Sequence, residues 1–287
     1  MGAGERGRLR RAPAWEWRRL LAAKLKNEIA LVTGAGRGFG RAIAERFAKE
    51  GAAVALMART IDEIEDAAAG IEALGGRGLA VKGDVTLAKD VDRCVSAAEA
   101  VFGPLSLFVN NAGVPGPFGA IWELDVDEWW ASQAVHVLAP MLFLRRILPG
   151  MVARNRGRVI VISALASRVI VPALSAYATG KIAQNKIVEE AAAELGDRAI
   201  KIFAINPGIV FTELARETVN SPEARRWLPG MVERLASLGA SDGADADLAR
   251  CAQLCVSLAS GRYDALTGQY MDVSDDLDTK IKLLKKP

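Results

Sequence analysis

The stretch "EIALVTGAGRGFGRAIAERFAKEG" (residues 28–51) joins an apolar, β-rich run to a glycine-rich turn and then to a helical run. Glycines let a backbone turn sharply and come close to a ligand. The helix after the turn would present its free N–H groups and positive dipole end to a pyrophosphate. Within it, Ile43 and Phe47 repeat on one face, and Gly51 is placed to end the helix. The stretch therefore predicts a strand, a ligand-binding turn and a helix in succession.

The same alternation of short and long segments continues along the chain. Strands that are apolar on both sides are typical of a parallel sheet covered by helices on both faces. Longer helical segments separate the short runs, so we predict an α/β fold of the Rossmann type, a doubly wound, parallel, seven-stranded sheet in a single domain. The seven predicted strands are residues 28–33, 53–57, 78–83, 105–110, 158–163, 200–206 and 268–273.

The predicted domain covers residues 27–274. A basic N-terminal extension (1–26) precedes it, and a C-terminal tail (275–287) follows it. Residues 209–247 form a longer segment than a simple crossover requires. Long insertions at the carboxyl edge of such a sheet usually cover a ligand site, so we predict that this segment is a substrate lid.

The formal charge of +3 is unevenly distributed. The extension holds eight basic residues against two acids, whereas residues 27–279 hold 25 basic and 32 acidic residues. An acidic body argues against nucleic acid as a partner.

No run approaches roughly eighteen uninterrupted apolar residues, so no transmembrane segment is predicted. The extension fits a transit peptide, an amphipathic surface helix or a plain tail. We expect a cytoplasmic location, and organellar targeting by the extension is the alternative.

Three cysteines, Cys94, Cys251 and Cys255, form neither a disulfide framework nor a CxxC pair. A reducing compartment is the simpler assumption. Cys251 and Cys255 have no histidine or further cysteine near them in the sequence. We therefore predict packed core thiols and no metal site.

Four short motifs stand in order along the chain. They are "TGAGRGFG" (33–40), "NNAG" (110–113), Tyr177-x-x-x-Lys181 and "NPG" (206–208). Together they resemble the motifs of the classical short-chain dehydrogenases/reductases, over about residues 27–274. The resemblance implies an oxidoreductase with a nicotinamide cofactor, assembled as a homodimer or homotetramer through the helices that carry Tyr177 and precede the fifth strand.

The resemblance also implies which residues bind the cofactor. Asp84 and Val85 would border the adenine, and Lys181 would bind the nicotinamide ribose. Residues 207–209 and Thr212 would hold the nicotinamide amide. The full set is Gly34, Arg37, Gly38, Phe39, Gly40, Arg59, Asp84, Val85, Asn111, Ala112, Gly113, Lys181, Pro207, Gly208, Ile209 and Thr212.

The residue after the second strand bears on the choice between NAD(H) and NADP(H). An acid there would hydrogen-bond the ribose hydroxyls of NAD. The position is instead Ala58, followed by Arg59, and Arg37 lies in the glycine-rich turn. Two guanidinium groups could converge on a 2′-phosphate, whose geometry they match. NADP(H) is therefore the predicted cofactor.

Tyr177 and Lys181 would share one helix face, because they stand four residues apart. In the family that the chain resembles, the tyrosine exchanges a proton with the substrate oxygen while hydride passes to or from the nicotinamide. A phenol with an ordinary pKa of about 10 is a poor base at neutral pH. A cation one turn away favours phenolate, which gives Lys181 a second role.

Two expected partners of this pair are replaced. The family has a serine thirteen residues before the tyrosine, where this chain has Ala164, and an asparagine on an earlier helix, where it has His136. Losing one preorganised donor to a developing oxyanion costs about 100- to 1000-fold in rate.

Ser163 and His136 are the candidate substitutes. Ser163 would face the site only through a bulge or bend at the strand end, and Ser167 is a weaker candidate. His136, the only histidine of the chain, is either a relay group or a packed residue.

The substrate is predicted to be a hydrophobic small molecule held in an apolar or aromatic pocket. Arg225 and Arg226 are either an anion site or solvated charges of the lid. We expect some of the aromatic residues towards or beneath the carboxyl edge to line this pocket and more than half to pack against the sheet or a subunit interface; they are Phe118, Trp122, Trp129, Trp130 and Trp227.

The leading prediction is an NADP(H)-dependent oxidoreductase that interconverts a carbonyl and a secondary alcohol, with Tyr177 as the acid/base. Ala164 and His136 keep two alternatives open. One is a sensor or scaffold that binds NADP(H) without efficient turnover. The other is a dehydratase, isomerase or cyclase on the same fold.

Overall fold

A computed structural model describes residues 23–240 and 244–284 of the 287-residue chain. Seven strands form one parallel sheet in the order β3-β2-β1-β4-β5-β6-β7. The predicted Rossmann-type sheet is thereby confirmed. The strands are β1 (Ile29–Thr33), β2 (Ala53–Ala58), β3 (Arg77–Lys82), β4 (Leu107–Asn110), β5 (Gly157–Ile162), β6 (Ile200–Asn206) and β7 (Tyr270–Asp272).

Eleven α-helices are found in the part of the chain that the structure describes. A π-helical turn, Ala134–Leu138, joins α4 to α5, and short 3₁₀ turns span Leu165–Ser167 and Asp264–Leu266. The helices are α1 (Gly38–Lys49), α2 (Ile61–Ala73), α3 (Ala88–Phe102), α4 (Val126–Gln133), α5 (Ala139–Arg154), α6 (Ser175–Leu195), α7 (Glu213–Asn220), α8 (Pro222–Trp227), α9 (Pro229–Gly239), α10 (Ala244–Ala259) and α11 (Leu277–Leu284).

The helices cover both faces of the sheet. Successive strand residues point to opposite faces, so Val32 packs with α1, α2 and α10, whereas Leu31 packs with α3, α5 and α6. Both residues are fully buried. The order of the strands reverses between β1 and β4, and ligands bind such sheets at the carboxyl ends of the strands on either side of that point.

Both ends of the described chain pack more closely than the sequence indicates. Leu25 is fully buried and its N–H donates to the carbonyl of Glu50, so the packed fold begins before the predicted boundary at residue 27. The predicted tail contains α11, whose Leu277 is buried and whose Ile281 packs on the core. An amphipathic helix of two turns is a short signal, which explains the difference. Most of the extension lies outside the described residues.

The predicted core thiols are confirmed. Cys251 and Cys255 lie one turn apart on α10 and are fully buried, and Cys94 is buried on α3. Within residues 23–240 and 244–284, no group of three potential metal ligands is found.

One helical stretch, Val126–Arg154, is long and apolar enough to cross a membrane by length and composition, with a mean hydropathy of 1.4 over an 18-residue window. It contains Pro140 and Pro149, and its residues Phe143 and Ile147 are buried in the core beneath the sheet. One side of the stretch thus packs in the core of the fold, and 39% of the 18-residue window is buried.

Candidate active site

One cavity of ≈ 890 Å³ opens at the carboxyl edge of the sheet. The segments after β1 to β6 line it, together with α6 and the lid helices α7 and α9. The cavity brings together almost all of the predicted cofactor residues: Gly34, Arg37, Gly38, Phe39, Arg59, Asp84, Val85, Asn111, Ala112, Gly113, Lys181, Pro207, Gly208, Ile209 and Thr212.

The glycine-rich turn has a backbone that only glycines adopt readily. Gly34 has φ +61° and Gly38 has φ +54°, both in the left-handed region. Helix α1 begins at Gly38 with no side-chain cap and no acid in its first turn. Its first N–H groups are therefore free to meet an anion, and the cradle fits the pyrophosphate of a dinucleotide.

Gly40 is a packing residue and does not line the cavity. A Cβ built at this position would lie 2.2 Å from the carbonyl oxygen of Gly34 and 2.5 Å from Nδ2 of Asn111. The glycine thus lets α1 approach the turn, so its contribution to the predicted cofactor-binding motif is to the shape of the turn.

Asn111 fixes the glycine-rich turn from the neighbouring strand. Its Nδ2 donates to the carbonyl oxygens of Thr33 (2.9 Å) and Gly34 (3.1 Å), and its N–H donates to Oγ1 of Thr33 (3.0 Å). The "NNAG" motif therefore shapes the cavity wall at the point where the strand order reverses.

The "NPG" segment closes the opposite wall. Gly208 has φ +88°, and a Cβ built at Gly38 would contact Cγ2 of Thr212 at 3.2 Å. The segment after β6 thus meets the glycine-rich turn directly. At the other end of the trough, Asp84 accepts hydrogen bonds from the N–H (2.8 Å) and Oγ1 (2.7 Å) of Thr86.

The two predicted phosphate ligands differ in their surroundings. Arg37 forms ion pairs with Glu63 of α2 (3.6 Å) and Glu217 of α7 (3.1 Å). Arg59 is exposed and has no ion-pair partner among the described residues. A 2′-phosphate would find Arg59 available, whereas it would have to displace or share the partners of Arg37.

Tyr177 and Lys181 lie one turn apart on α6, and both line the cavity. The Nζ of Lys181 donates to the carbonyl oxygen of Ile162 (2.7 Å) and to Oε1 of Gln184 (3.2 Å), and it lies 5.5 Å from the centroid of the Tyr177 ring. Burial lowers the pKa of Lys181 to about 7. Burial, with a smaller contribution from Tyr270, raises the pKa of Tyr177 to about 12. The phenol is therefore protonated at neutral pH and suited to act as an acid.

His136 lies beneath the cavity and is fully buried. Its Nε2 is 2.9 Å from the carbonyl oxygen of Val114, which only accepts, so Nε2 carries the proton. Its Nδ1 is buried without a hydrogen-bond partner among the described residues. Burial, and then the charge of Lys181, lowers the pKa of His136 to about 3. The ring is neutral at physiological pH.

A local change of helix type places His136. It stands in the π-helical turn, where the N–H of Ala139 donates to the carbonyl of Ala134. Pro140 follows four residues after His136, so it offers no N–H to the His136 carbonyl, and its ring would clash with that carbonyl in a regular helix. The π turn relieves this conflict.

Ser163 lines the cavity next to Ala164, and its hydroxyl has two long contacts inside the protein. Its Oγ lies 3.5 Å from the carbonyl oxygen of Lys181 and 3.4 Å from Oγ of Ser167. Ser167 in turn donates to the carbonyl of Ala164 (2.6 Å) and accepts from Nδ2 of Asn185 (2.8 Å). Ser167 is engaged with the adjoining turn and α6, whereas Ser163 has only contacts of 3.4 and 3.5 Å and lines the cavity together with the methyl group of Ala164.

The substrate end is more aliphatic than the sequence predicts. Phe118 lines the cavity, whereas the four tryptophans do not. Trp122 and Trp130 are 81% and 63% exposed. The apolar lining at this end comprises Phe118, Leu165, Val169, Val171, Leu174, Met231 and Leu235.

Sequence reasoning missed three features of the site. The pairing of Arg37 depends on helices far apart in the chain and leaves no local pattern. The π turn could have been inferred from Pro140, and the inward face of α9 from the helical spacing of Met231, Arg234 and Leu235.

Comparisons with known proteins agree with the geometry. A family model described as short chain dehydrogenase matches residues 28–223. A short chain dehydrogenase of Pseudocercospora fijiensis is 33% identical over 268 residues, which cover 92% of this chain and 85% of that protein. The chain belongs to the short-chain dehydrogenase/reductase family.

Two further similarities are informative. A cyclohexanol dehydrogenase of Acinetobacter sp. is 28% identical over 199 residues, which cover 69% of this chain and 79% of that protein. The crystal structure of a metagenomic short-chain oxidoreductase in complex with NADP has a TM-score of 0.66 and 29% identity, and the match covers 83% of this chain and 92% of that one. The chain is an oxidoreductase of the family that uses nicotinamide cofactors and acts on alcohol and ketone groups.

Proposed function

We propose that the protein is an NADP(H)-dependent oxidoreductase that interconverts a carbonyl and a secondary alcohol on a hydrophobic small molecule. The observation that carries this proposal is the position of Tyr177 and Lys181 on one face of α6, in the same cavity as the glycine-rich turn. A dinucleotide on the turn and a small molecule beside Tyr177 would share that cavity.

The bound cofactor would supply the hydride to the carbonyl carbon, or accept it from the alcohol. In reduction, the electron pair of the C=O π bond moves to oxygen, and Tyr177 gives its proton to that oxygen. The ketone, NADPH and one proton thus become the alcohol and NADP⁺. Tyr177 is well suited to this direction because its pKa of about 12 keeps it protonated at neutral pH.

Lys181 would assist the opposite reaction, the oxidation of the alcohol, as well. Its ammonium form favours phenolate, so it would lower the cost of removing a proton from an alcohol. With a pKa of about 7, Lys181 is partly charged at neutral pH, and burial limits the fraction that is charged.

The choice of NADP(H) rests on two observations. No acid stands at Ala58, where one would bind the ribose hydroxyls of NAD, and the unpaired guanidinium of Arg59 lies beside that position on the cavity wall. The NADP complex of the metagenomic relative supports the same choice.

Ala164 favours a second candidate, a protein that binds NADP(H) without efficient turnover. The cavity offers the methyl group of Ala164 where a hydroxyl would hold the substrate oxygen, and the hydroxyl of the neighbouring Ser163 lies 3.5 Å from the carbonyl oxygen of Lys181 on α6. The fold and the cofactor residues would be unchanged in such a protein.

The deciding experiment is NADPH oxidation with a panel of alicyclic and aromatic ketones, measured for the native protein, Tyr177→Phe and Ala164→Ser. We expect native turnover that falls by about 100- to 10,000-fold in Tyr177→Phe. Turnover by Ala164→Ser alone would instead show that the native protein binds the cofactor for a purpose other than ketone reduction, either binding itself or a non-redox step.

We also propose a homodimer or homotetramer. The outer sides of α4–α6 and the π turn expose large apolar side chains that a partner subunit would cover: Trp130, Leu138, Met141 and Ile182. Sedimentation equilibrium of the native protein and of the double variant Met141→Glu/Ile182→Glu tests this proposal.

For the location of the protein, we propose the cytoplasm. The alternative is targeting to an organelle by residues 1–26, and cell fractionation would distinguish the two locations.

A further inference from the structure

The charged groups of the cavity are largely neutralised within the protein. Arg37 is paired with Glu63 and Glu217, and Lys181 donates to a backbone carbonyl and an amide oxygen. Glu213 is paired with Arg216 at 3.1 Å. Two guanidinium groups of the lining have no side-chain hydrogen bond or ion pair within residues 23–240 and 244–284: Arg59 and Arg234.

The two free guanidinium groups lie at different ends of the cavity. Arg59 follows β2 and belongs to the proposed 2′-phosphate site. Arg234 lies on lid helix α9, one turn after Met231 on the same cavity-facing side. Met231 packs against the apolar cluster that contains Phe118 and Leu174, next to Tyr177. The exposed Arg234 therefore lines the cavity one helical turn from this apolar cluster.

The other arginines of the lid helices behave differently. Arg216 pairs with Glu213, the Nε of Arg225 donates to the carbonyl of Val219 (2.8 Å), and Arg226 stacks on Trp227 with its guanidinium 4.8 Å from the ring centroid. These three side chains do not line the cavity. Arg225 and Arg226, which the sequence singles out, are thus held by the lid itself, and the available cation is Arg234.

A guanidinium at the edge of an apolar pocket matches a carboxylate, because it offers two parallel N–H donors and a charge. We infer that the substrate is an oxo acid or hydroxy acid whose carboxylate is held by Arg234 while its carbonyl or alcohol carbon lies at Tyr177. The carbon skeleton between the two groups would lie on Phe118, Leu174 and Met231. This inference rests on the proposed function and specifies its substrate class.

The test uses oxo acids and their methyl esters as matched probes. Levulinate, 6-oxoheptanoate and 4-acetylbenzoate span short, flexible and rigid skeletons, and each ester keeps the ketone but removes the charge. We expect the native protein to reduce at least one acid with a kcat/KM about tenfold or more above that of its ester. Raising the ionic strength should narrow the difference.

The variant Arg234→Met should lose this preference through a higher KM for the acid, with the ester's kcat/KM within about twofold of native. Arg225→Met is the matched control, because this lid arginine lies outside the cavity, and it should leave the preference intact. The NADPH affinity of Arg234→Met should equal that of the native protein, since Arg59 and the glycine-rich turn are unchanged.

Three results would overturn the inference. In the first, no acid is preferred to its ester while ketones are reduced, so that the proposed function stands alone. In the second, Arg234→Met weakens NADPH binding instead of acid preference, which would assign the arginine to the cofactor. If no ketone is reduced at all, the proposed function fails. The inference is then tested by calorimetry, which measures the affinity of the acids for the complex of the protein with NADPH. Equal binding of acids by the native protein and Arg234→Met would then refute the inference.

Discussion

The imidazole of His136 stands edge-on to the phenol ring of Tyr177, with the ring centroids 5.3 Å apart and the ring planes at 88°. A buried neutral ring thus supports the candidate acid from below. Because Nε2 is committed to the carbonyl of Val114, the tautomer of the imidazole is fixed. This geometry makes His136 a positioning residue for Tyr177. The charge state of the His136 imidazole has a measurable effect on the stability of the protein.

We predict that the native protein loses stability as the pH falls from 6.5 to 5. His136 has a pKa of about 3 in the folded state and 6.5 as its ordinary value, so in this range the unfolded state binds a proton that the native state does not. The free energy of unfolding should fall by up to about 1.4 kcal/mol per pH unit. Urea titrations at several pH values measure the slope.

His136→Asn is the control, because it keeps a polar group and cannot titrate. Its slope between pH 6.5 and 5 should be smaller than the native slope, because it has no imidazole to protonate on unfolding. Since the chain has one histidine, the single imidazole resonance of the native protein provides a direct check. A resonance that titrates near pH 6 would contradict the prediction.

Gly40→Ala should disrupt the cofactor turn. A Cβ at this position would lie 2.2 Å from the carbonyl oxygen of Gly34 and would also meet Asn111. Since both neighbours are held by the turn itself, we expect a loss of stability of about 1–3 kcal/mol and weaker NADPH binding. Thermal unfolding and fluorescence titration with NADPH measure the two effects.

Gly70→Ala is the matched substitution. Gly70 lies inside α2, and a Cβ there would meet nothing within 4 Å. Alanine is the better helix former, so this variant should gain about 0.5–1 kcal/mol and bind NADPH as the native protein does. Similar behaviour of the two variants would show that Gly40 has no special packing role.

The ion pairs of Arg37 predict an effect on cofactor selectivity. Glu217 competes with a 2′-phosphate for the same guanidinium, and both side chains are about half exposed. Glu217→Gln should therefore raise NADPH affinity only modestly, by about two- to fivefold, and leave NADH affinity unchanged. Arg37→Met should lower NADPH affinity selectively.

The control for Glu217→Gln is Glu123→Gln, which removes an ion pair with Arg226 outside the cavity (3.8 Å). It should change neither affinity. If Glu217→Gln shifts NADH and NADPH affinity equally, the lid carboxylate acts on the fold of the cavity and not on the phosphate site.

Ala164→Ser should increase ketone reduction if the native protein is a slow reductase. A hydroxyl at this position would donate to the oxygen as negative charge develops on it, and one such donor is worth about 100-fold or more in rate. The expected change is in kcat, with KM little affected, and steady-state NADPH oxidation measures both. Ser163→Ala should have a small effect, because the Ser163 hydroxyl already faces α6.

The fold was predictable because its signals are repetitive and local. Most strands are short apolar runs, and the motifs of β1, β4 and β6 begin at the last residue of the strand that carries them. Parallel strands bring these ends to one edge, so the list of cofactor residues could be assembled without knowing the path of the helices. The packing role of Gly40 was not predictable, because a motif cannot distinguish a glycine that touches a ligand from one that touches the chain.

The remaining features of the site depend on distances between segments. Arg37 and Glu217 stand 180 positions apart in the chain, and nothing near either residue indicates the other. The orientation of Ser163 follows from the turn Leu165–Ser167, which brings Ser167 and Asn185 together. The pocket was predicted to be apolar or aromatic, and which of the aromatic residues line it depends on how the segments pack, which left the tryptophans outside the cavity.

The π turn also has a consequence for the outer surface of the protein. A π turn holds one residue more than an α-helical turn, so everything after Leu138 is rotated by about 100° relative to an uninterrupted helix. The angular phase of α5, and with it the direction in which Met141 points, is thus set at the same place as the orientation of His136. A replacement of Pro140 that let the π turn revert to an α-helical turn would therefore move both His136, beneath the cavity, and the exposed side chain of Met141. The proposed subunit association and the proposed catalysis would then both change through a residue that takes part in neither.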